Sequence, residues 1–271
     1  MLLKIATWNI NSIRLRLPLL KQFVERDRPD VICLQETKVR DGHFPFSATR
    51  DLGYEHIEIA GQKGYHGVAI LSRLPIAAVD RGPFCRHGHA RHLAVTLADG
   101  AGAAAGLTLH NFYVPAGGDE PDPEINPKFA HKLHFLDEMA RAPAAGTLST
   151  RRSILVGDLN IAPLETDVWS HKALLKVVSH TPVEVEALLK VQAAGGWVDA
   201  LRRRVPPEVK LYTWWSNRSP DWVAADKGRR LDHAWLSPDL AEALGEVEVV
   251  KAARGWERPS DHVPVTVALH L

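Results

Sequence analysis

Acidic and amide side chains follow several short apolar segments of this sequence, at the points where loops present side chains to solvent. Asn9 comes directly after the apolar residues 2–8, and Glu36 comes directly after residues 31–35. Further polar residues follow, or lie within, later segments of the same kind: Asp158, Asn160, Asp232, Asp261 and His262. Carboxylates, amides and a histidine gathered at strand ends indicate hydrolysis of a phosphate ester.

The chemistry of phosphodiester hydrolysis explains why these residue types belong together. A hard cation such as Mg²⁺ prefers oxygen ligands and keeps several waters, so one or two carboxylates are enough to hold it. The cation polarises the phosphate, and a separate carboxylate takes a proton from the attacking water. A histidine oriented by a carboxylate donates a hydrogen bond to the phosphate. Mn²⁺ suits the same oxygen ligands.

Each of these residues also has an ordinary interpretation. A carboxylate such as Glu36 is more often a surface acid. Asp158 and Asn160 fit a turn that closes a strand, and Asn9 fits the cap of a helix that begins near residue 12. The functional interpretation therefore depends on finding all of them in one chain.

The segments that carry these residues alternate between short apolar strands and amphipathic helices. Apolar residues at steps of three and four predict helices over 12–25 and 125–140, and Thr181 with Pro182 predicts the start of another. Strands are predicted at 2–8, 31–35, 54–59, 67–71, 76–79, 92–97, 107–114, 153–157, 231–236, 247–250 and 263–269. With no convincing linker or repeat, we expect one α/β domain over residues 1–271, with layered sheets flanked by helices.

Composition gives little global information about partners. The 33 basic and 32 acidic residues leave a net charge of +1, which exerts no overall attraction for DNA or membranes. Residues 200–230 hold eight basic against three acidic side chains, a local charge of +5. This stretch fits a DNA-binding patch and a solvated basic face equally well.

The sequence spacing of the cysteines and the ligand type of the histidines predict no metal centre. Cys33 lies in an apolar run and is expected to be a buried thiol, and neither it nor Cys85 has metal-binding spacing. His66, His110 and His131 have no support as ligands of Mg²⁺, which favours oxygen. No leader peptide or apolar run of about 18 residues is found, so a cytoplasmic protein with no membrane partner is expected.

Six segments together resemble the exonuclease III family of apurinic/apyrimidinic endonucleases. They are WNINSIR (8–14), LQETK (34–38), YHGVAI (65–70), NFYVP (111–115), GDLNIAP (157–163) and SDHVP (260–264). The resemblance extends from residue 4 to residue 269. It implies a DNase I-like, four-layered α/β sandwich with two mixed sheets packed face to face. It also implies a Mg²⁺-dependent nuclease that cuts double-stranded DNA 5′ to abasic sites and acts on 3′ ends. A monomer is expected, because the sequence has no long heptad pattern or obvious oligomerisation segment.

The resemblance also implies roles for the residues that match its motifs. Glu36 becomes the principal metal ligand, with Asn9 and Asp261 at the metal site. The residues implied in catalysis are Tyr113 at the phosphate, Asp158 and Asn160 at the attacking water, His262 at the developing charge and Asp232 behind His262. Tyr113 taken alone fits an ordinary residue at the edge of the core.

DNA contacts are implied at a further set of positions. Asn11 is expected to contact DNA close to the metal site and Lys38 to contact a phosphate. Trp214 and Leu231 are expected in the wall of a pocket for a flipped abasic nucleotide. Arg229 stands where some family members carry a bulky apolar residue, so it fits either a pocket cover or a phosphate contact. Ala116 stands where the family often has asparagine.

Two other functions compete with a DNA nuclease. One is a relative that hydrolyses lipid or inositol phosphates with the same metal and histidine, and the other is an inactive DNA-binding relative. The aromatic residues 212–215 argue against the first, and the presence of Glu36, Asp158 and His262 argues against the second.

Overall fold

The structure is a computed structural model that describes residues 1–82, 84–219 and 221–271. The helices are α1 (Ile13–Asp27), α2 (Phe46–Arg50), α3 (Pro127–Arg141), α4 (His171–Leu174), α5 (Pro182–Gly195), α6 (Ala200–Arg204) and α7 (Trp222–Ala225). The strands are β1 (Leu2–Asn9), β2 (Val31–Gln35), β3 (His56–Ala60), β4 (Val68–Ser72), β5 (Ile76–Asp80), β6 (His92–Leu97), β7 (Thr108–Tyr113), β8 (Ser153–Asp158), β9 (Val198–Asp199), β10 (Trp214–Trp215), β11 (Gly228–Arg229), β12 (Asp232–Leu236), β13 (Leu244–Val249) and β14 (Val265–His270).

All strands except β10 and β11 form two six-stranded sheets. The first has the order β13-β14-β1-β2-β4-β3, and the second has the order β5-β6-β7-β8-β12-β9. Each sheet holds one parallel pair near its centre, β1 with β2 and β7 with β8, and the other pairs are antiparallel. Both sheets are therefore mixed, as predicted.

Alternating apolar side chains produce four layers. In β1, Ile5 points into the core between the sheets, whereas Trp8 points outward to the α1 side and packs with Phe23. On the far side of the second sheet, Trp235 of β12 shares a core with Phe135 of α3 and with α5. The predicted four-layered α/β sandwich is confirmed.

Local capping fixes the starts of two of the predicted helices, α3 and α5. The helix predicted from residue 125 begins at Pro127, because the Asn126 side chain accepts a 3.0 Å hydrogen bond from the Lys128 amide. The prediction at Thr181 is confirmed: α5 begins at Pro182, and Glu184 accepts from the Thr181 amide. Cys33 is fully buried, as expected. The two-residue strands β9, β10 and β11 were not predicted.

Three of the eight basic side chains in the stretch 200–230 are held in ion pairs, namely Arg202, Arg203 and Arg230. Arg230 is 1% exposed and donates to both Asp167 and Asp199. Arg202 also pairs with Asp167, and Arg203 pairs with Glu242. The stretch is therefore neither a continuous DNA-binding patch nor a fully solvated face. No helix within the described ranges is both long and apolar enough to cross a membrane.

Candidate active site

The predicted site residues converge at one edge of the sandwich, where the two parallel strand pairs end. Asn9 is the last residue of β1 and Glu36 follows β2, both in the first sheet. Tyr113 ends β7 and Asp158 ends β8, both in the second sheet. Parallel neighbours end at the same edge of a sheet, so the fold brings four polar residues from distant parts of the chain together.

Glu36 is the centre of a hydrogen-bond network. Its Oε1 accepts from Asn9 Nδ2 and from the Tyr113 hydroxyl, each at 2.9 Å. Its Oε2 lies 2.7 Å from Lys38 Nζ, which also donates to Asn11 Oδ1 at 2.6 Å. These contacts join the metal, phosphate and DNA positions expected from the sequence.

The backbone around Glu36 is strained. Glu36, Lys38 and Asn11 have φ angles of 50°, 54° and 48°, in the left-handed region that residues other than glycine rarely adopt. Such a residue costs about 1–3 kcal/mol and persists only where neighbouring contacts fix it. The Ser12 amide donates to the Glu36 carbonyl at 2.7 Å, which holds the two loops together. The strained loops aim their side chains into the site.

Asp158 and Asn160 form the turn after β8 and also enter the site. The Asn160 amide donates to Asp158 Oδ1 at 3.0 Å, which is the turn expected from the pattern. Asp158 Oδ2 accepts from Asn9 Nδ2 at 2.9 Å and from Asn160 Nδ2 at 3.1 Å. Burial raises the pKa of Asp158 to about 7, which suits a proton acceptor at neutral pH.

His262 lies between two buried carboxylates. Its Nδ1 is 2.8 Å from Asp232 Oδ2, and its Nε2 is 3.6 Å from Asp158 Oδ2. Burial opposes charge on the ring, but the two carboxylates together raise the pKa of His262. The protonated ring has no lone pair to offer a metal, so this group of three is better described as a hydrogen-bond donor held by carboxylates.

Thr213 fixes the carboxylate behind His262. Its hydroxyl donates to Asp232 Oδ2 at 2.7 Å and accepts from the backbone amides of Leu231 and Asp232. An antiparallel β-bridge between Trp214 and His262 holds the segment that carries Thr213 beside the histidine. Sequence reasoning did not single out Thr213, although it directly precedes the two tryptophans.

The oxygen-rich part of the site fits a hard cation. The ammonium group of Lys38 lies between Glu36 and Asn11, where its positive charge stands in for a cation. Asp261 belongs to the same hydrogen-bond network as Glu36, Lys38 and Asn11, because its Oδ1 accepts from Asn11 Nδ2 at 3.0 Å. Asn9 turns its amide nitrogen toward Glu36 and Asp158, so a ligand role requires its amide to rotate. Carboxylate and amide oxygens are ligands that Mg²⁺ and Mn²⁺ accept.

An open cleft of about 560 Å³ extends from Asp261. It is lined by Trp169, Trp214, Lys227 and Arg229, among others. Trp214 donates from Nε1 to Asp261 Oδ2 at 3.0 Å, so the cleft and the candidate metal position share one carboxylate.

Arg229 lies across Trp214 rather than out in solvent. Its guanidinium carbon is 5.2 Å from the ring centroid, and Nη1 donates to Val178 O and Ser179 Oγ at 3.1 and 2.7 Å. These contacts favour the pocket-cover interpretation of Arg229. Leu231 is 4% exposed and belongs to the same apolar cluster as Trp214, so it backs the aromatic wall.

Asn111 was expected on the same strand face as Tyr113, but its pairing with Gln35 and the pair Lys132–Glu184 were not predicted. Gln35 donates to Asn111 Oδ1 at 2.7 Å, an amide contact that joins β2 to β7 directly below the site. Asn111 and Tyr113 share one face of β7, which was the available signal. Lys132, on the apolar side of α3, pairs with Glu184 and donates to the Asn160 carbonyl. A lysine three residues after Phe129 and four before Leu136 was the signal for this pair.

The fold and this arrangement of residues define a DNase I-like hydrolase. Residues 6–262 match the endonuclease/exonuclease/phosphatase family, and the chain belongs to that family.

Relatives with established names are similar over nearly the whole chain. Exodeoxyribonuclease III of Haemophilus influenzae is 31% identical over 97% of this chain and 98% of its own length. The structure of an AP endonuclease from Archaeoglobus fulgidus superposes with a TM-score of 0.89 at 31% identity, covering 99% of this chain and 100% of that one. A 3′ phosphatase, NExo, from Neisseria bound to a product DNA hairpin has a TM-score of 0.86 at 32% identity, covering 98% and 99%.

Proposed function

We propose that this chain is a DNA-repair nuclease that hydrolyses phosphodiester bonds 5′ to abasic sites and also acts on 3′ ends. The single observation that carries the proposal is the position of Asp158. Its Oδ2 lies 2.9 Å from Asn9 Nδ2 and 3.6 Å from His262 Nε2. A carboxylate that can accept a proton therefore adjoins both the candidate metal position and a cationic donor for the phosphate.

In this reaction Asp158 takes a proton from the attacking water, and Asn160 holds that water in line. His262 donates from Nε2 to a phosphate oxygen, because Asp232 occupies the other ring nitrogen. The Tyr113 hydroxyl, now bonded to Glu36, turns to the same phosphate.

Glu36 as principal ligand, with Asn9 and Asp261 beside it, would hold a Mg²⁺ or Mn²⁺ ion, which would supply positive charge at the phosphate and at the leaving oxygen. Lys38, which is now paired with Glu36, would bind the DNA phosphate together with Asn11.

The cleft beside Asp261 accepts the abasic nucleotide after it leaves the stack. A missing base lowers the cost of unstacking, and Trp214, backed by Leu231, offers an apolar wall to the bare deoxyribose. Residues 1–271 act as one catalytic domain on double-stranded DNA, because both sheets contribute to this site. The cytoplasmic location and the monomeric state stay predictions from the sequence.

The test is cleavage of a labelled duplex that carries one abasic analogue, with Mg²⁺ and with a chelator. Wild type is compared with Glu36→Ala, with Asp158→Asn and with the matched control Glu186→Gln, an exposed acid on α5. We expect Mg²⁺-dependent incision 5′ to the lesion, reduced at least about 100-fold in the first two variants and unchanged in the control. Folded wild type that makes no incision with Mg²⁺ or Mn²⁺ would overturn the proposal, and phosphorylated 3′ ends and inositol phosphates become the next substrates.

A further inference from the structure

A cysteine and several histidines meet away from the catalytic carboxylates, between the loop before β6 and helix α3. Cys85 Sγ lies 3.1 Å from His131 Nε2. One ligand atom each from Cys85, His89 and His131 lies within 4.8 Å of the other two. The ring of His87 is adjacent, with its centroid 4.3 Å from that of His131. We call these four residues the Cys/His cluster.

We propose that the Cys/His cluster binds a Zn²⁺-type transition-metal ion, with Cys85, His89 and His131 as ligands and His87 as the fourth. Zn²⁺ binds thiolate sulfur at about 2.3 Å and imidazole nitrogen at about 2.0–2.1 Å in tetrahedral geometry. Tetrahedral ligands at those lengths are roughly 3.3–3.6 Å apart. Cys85 Sγ and His131 Nε2 are already 3.1 Å apart, close to this range, and the ligand atom of His89 lies within 4.8 Å of both. Thiolate and imidazole favour this ion over Mg²⁺, so the cluster is chemically distinct from the catalytic oxygen site.

Burial argues against a nucleophilic role for the same thiol. Cys85 is only 5% exposed, which leaves no room for a substrate to form a bond to sulfur. Within the part of the chain that the structure describes, the buried Nδ1 of His89 has no hydrogen-bond partner. A buried ring nitrogen without a hydrogen-bond partner destabilises the fold. If His89 binds the metal ion through Nδ1, the ion becomes the partner that this nitrogen lacks.

Helix α3 holds the cysteine loop in place. Glu138 lies seven residues after His131, on the same face of α3. Its Oε2 accepts a 2.8 Å hydrogen bond from the Cys85 amide. The helix thus provides one ligand and also fixes the backbone of another, as residues around metal ligands commonly do.

The cluster reaches the wall of the candidate active site through His66. The rings of His66 and His89 stack at 4.5 Å, and the His66 ring lies 6.1 Å from that of Tyr113. The His66 carbonyl accepts from the Lys38 amide at 3.0 Å. A metal ion here therefore stabilises the loops that carry Lys38 and Glu36, and its role is structural.

The experiment uses the full chain and measures metal binding directly. The protein is saturated with Mg²⁺ to occupy the oxygen site and is then titrated with Co²⁺, an optical substitute for Zn²⁺. Zinc content is measured separately after loading and gel filtration. The variants are Cys85→Ser and His131→Ala, and the matched control is His134→Ala, an exposed histidine on the same helix. Circular dichroism checks that each variant is folded.

We expect one equivalent of tightly bound metal and a thiolate-to-cobalt charge-transfer band in wild type and in His134→Ala. The band is lost in Cys85→Ser, and the equivalent is lost in both cluster variants. The thermal midpoint of wild type rises with Zn²⁺, and that of the cluster variants does not. Wild type without a charge-transfer band, or Cys85→Ser with wild-type zinc content, would overturn the proposal. If Cys85→Ser does not fold, His131→Ala decides by the same loss. None of these readouts depends on nuclease activity.

Discussion

Lys132 Nζ donates a 2.8 Å hydrogen bond to the backbone carbonyl of Asn160, from a side chain that is itself completely buried. Its charge is balanced by Glu184, at 2.5 Å, which also accepts from the Ser179 and Thr181 amides. A buried ion pair between α3 and α5 therefore holds the turn that carries the candidate proton acceptor, Asp158.

Removing one partner of this pair exposes its energetic role. We expect Lys132→Met to lower the free energy of unfolding by about 3–5 kcal/mol, because Glu184 is left charged and buried. Lys132→Met with Glu184→Gln should recover part of that loss. The measurement is urea denaturation, and Lys190→Met is the control, since its exposed pair with Glu186 contributes less than about 1 kcal/mol. A Lys132→Met variant as stable as wild type would contradict this interpretation of the ion pair.

The carboxylate behind His262 should control its protonation. In Asp232→Asn the stabilising negative charge is lost, so the pKa of His262 should fall and kcat should drop by about 100-fold or more. Thr213→Ser keeps the hydroxyl that bonds Asp232 and should be close to wild type. Titration of the His262 ring by NMR measures this fall in pKa directly, and a pKa unchanged from wild type in Asp232→Asn would contradict the assigned role of Asp232.

Arg229 should affect the choice of substrate more than the electrostatic attraction for DNA. Its Nη1 donates to Val178 O and Ser179 Oγ, which holds the guanidinium over Trp214 in the cleft wall. We expect Arg229→Leu to change the ratio of abasic-site incision to 3′-end removal several-fold while the salt dependence of binding stays the same. Lys227→Met, an exposed lysine of the same cleft, is the control. A salt slope reduced by about one in Arg229→Leu would instead indicate a phosphate contact.

Acid should destabilise the fold through His233. Burial, with a smaller contribution from Arg230, lowers the pKa of His233 to about 4, whereas a histidine in the unfolded chain titrates near about 6.5. Between these two pH values the unfolded state binds more protons than the folded state. The contribution of His233 to the free energy of unfolding is therefore complete above about pH 6.5 and is lost as the pH falls toward about 4. The slope is about 1.4 kcal/mol per pH unit.

The variant that tests this linkage is His233→Gln. Its amide can still donate to the Ile161 carbonyl, which His233 Nε2 contacts at 2.8 Å, but it does not titrate. Urea denaturation across this pH range should show a shallower loss of stability in His233→Gln, and the exposed His134→Gln should retain the wild-type slope. Equal slopes in all three proteins would show that His233 does not carry the acid sensitivity.

Local patterns predicted the parts of the molecule that local physics determines. Short apolar runs predicted most of the long strands, and Thr181 with Pro182 predicted a helix start. The motif around Glu36 and that around Asp158 placed both residues after strands, because strand ends are where loops begin. Cys33 was correctly expected in the core.

Contacts between distant segments were the parts that could not be read from the sequence. Cys85 and His131 are 46 residues apart, and no sequence spacing indicates that they could bind one metal ion together. Arg230 lay in a stretch that looked like a free basic surface, yet Asp167 and Asp199 neutralise it inside the protein. Such pairs depend on which surfaces the sheets and helices bring together.

The polar contacts of the candidate site also join the two sheets. Asn9 to Asp158, Glu36 to Tyr113, and Gln35 to Asn111 each connect the first sheet to the second. His262, which leads into β14 of the first sheet, contacts Asp232 of β12 in the second.

A chain emerging from the ribosome that has formed only β1 to β4 holds Asn9 and Glu36 but has no Asp158 or His262 to complete the reaction. By dividing its reactive groups between two halves of the fold, this protein acquires them together only when synthesis has passed His262 and both sheets have docked.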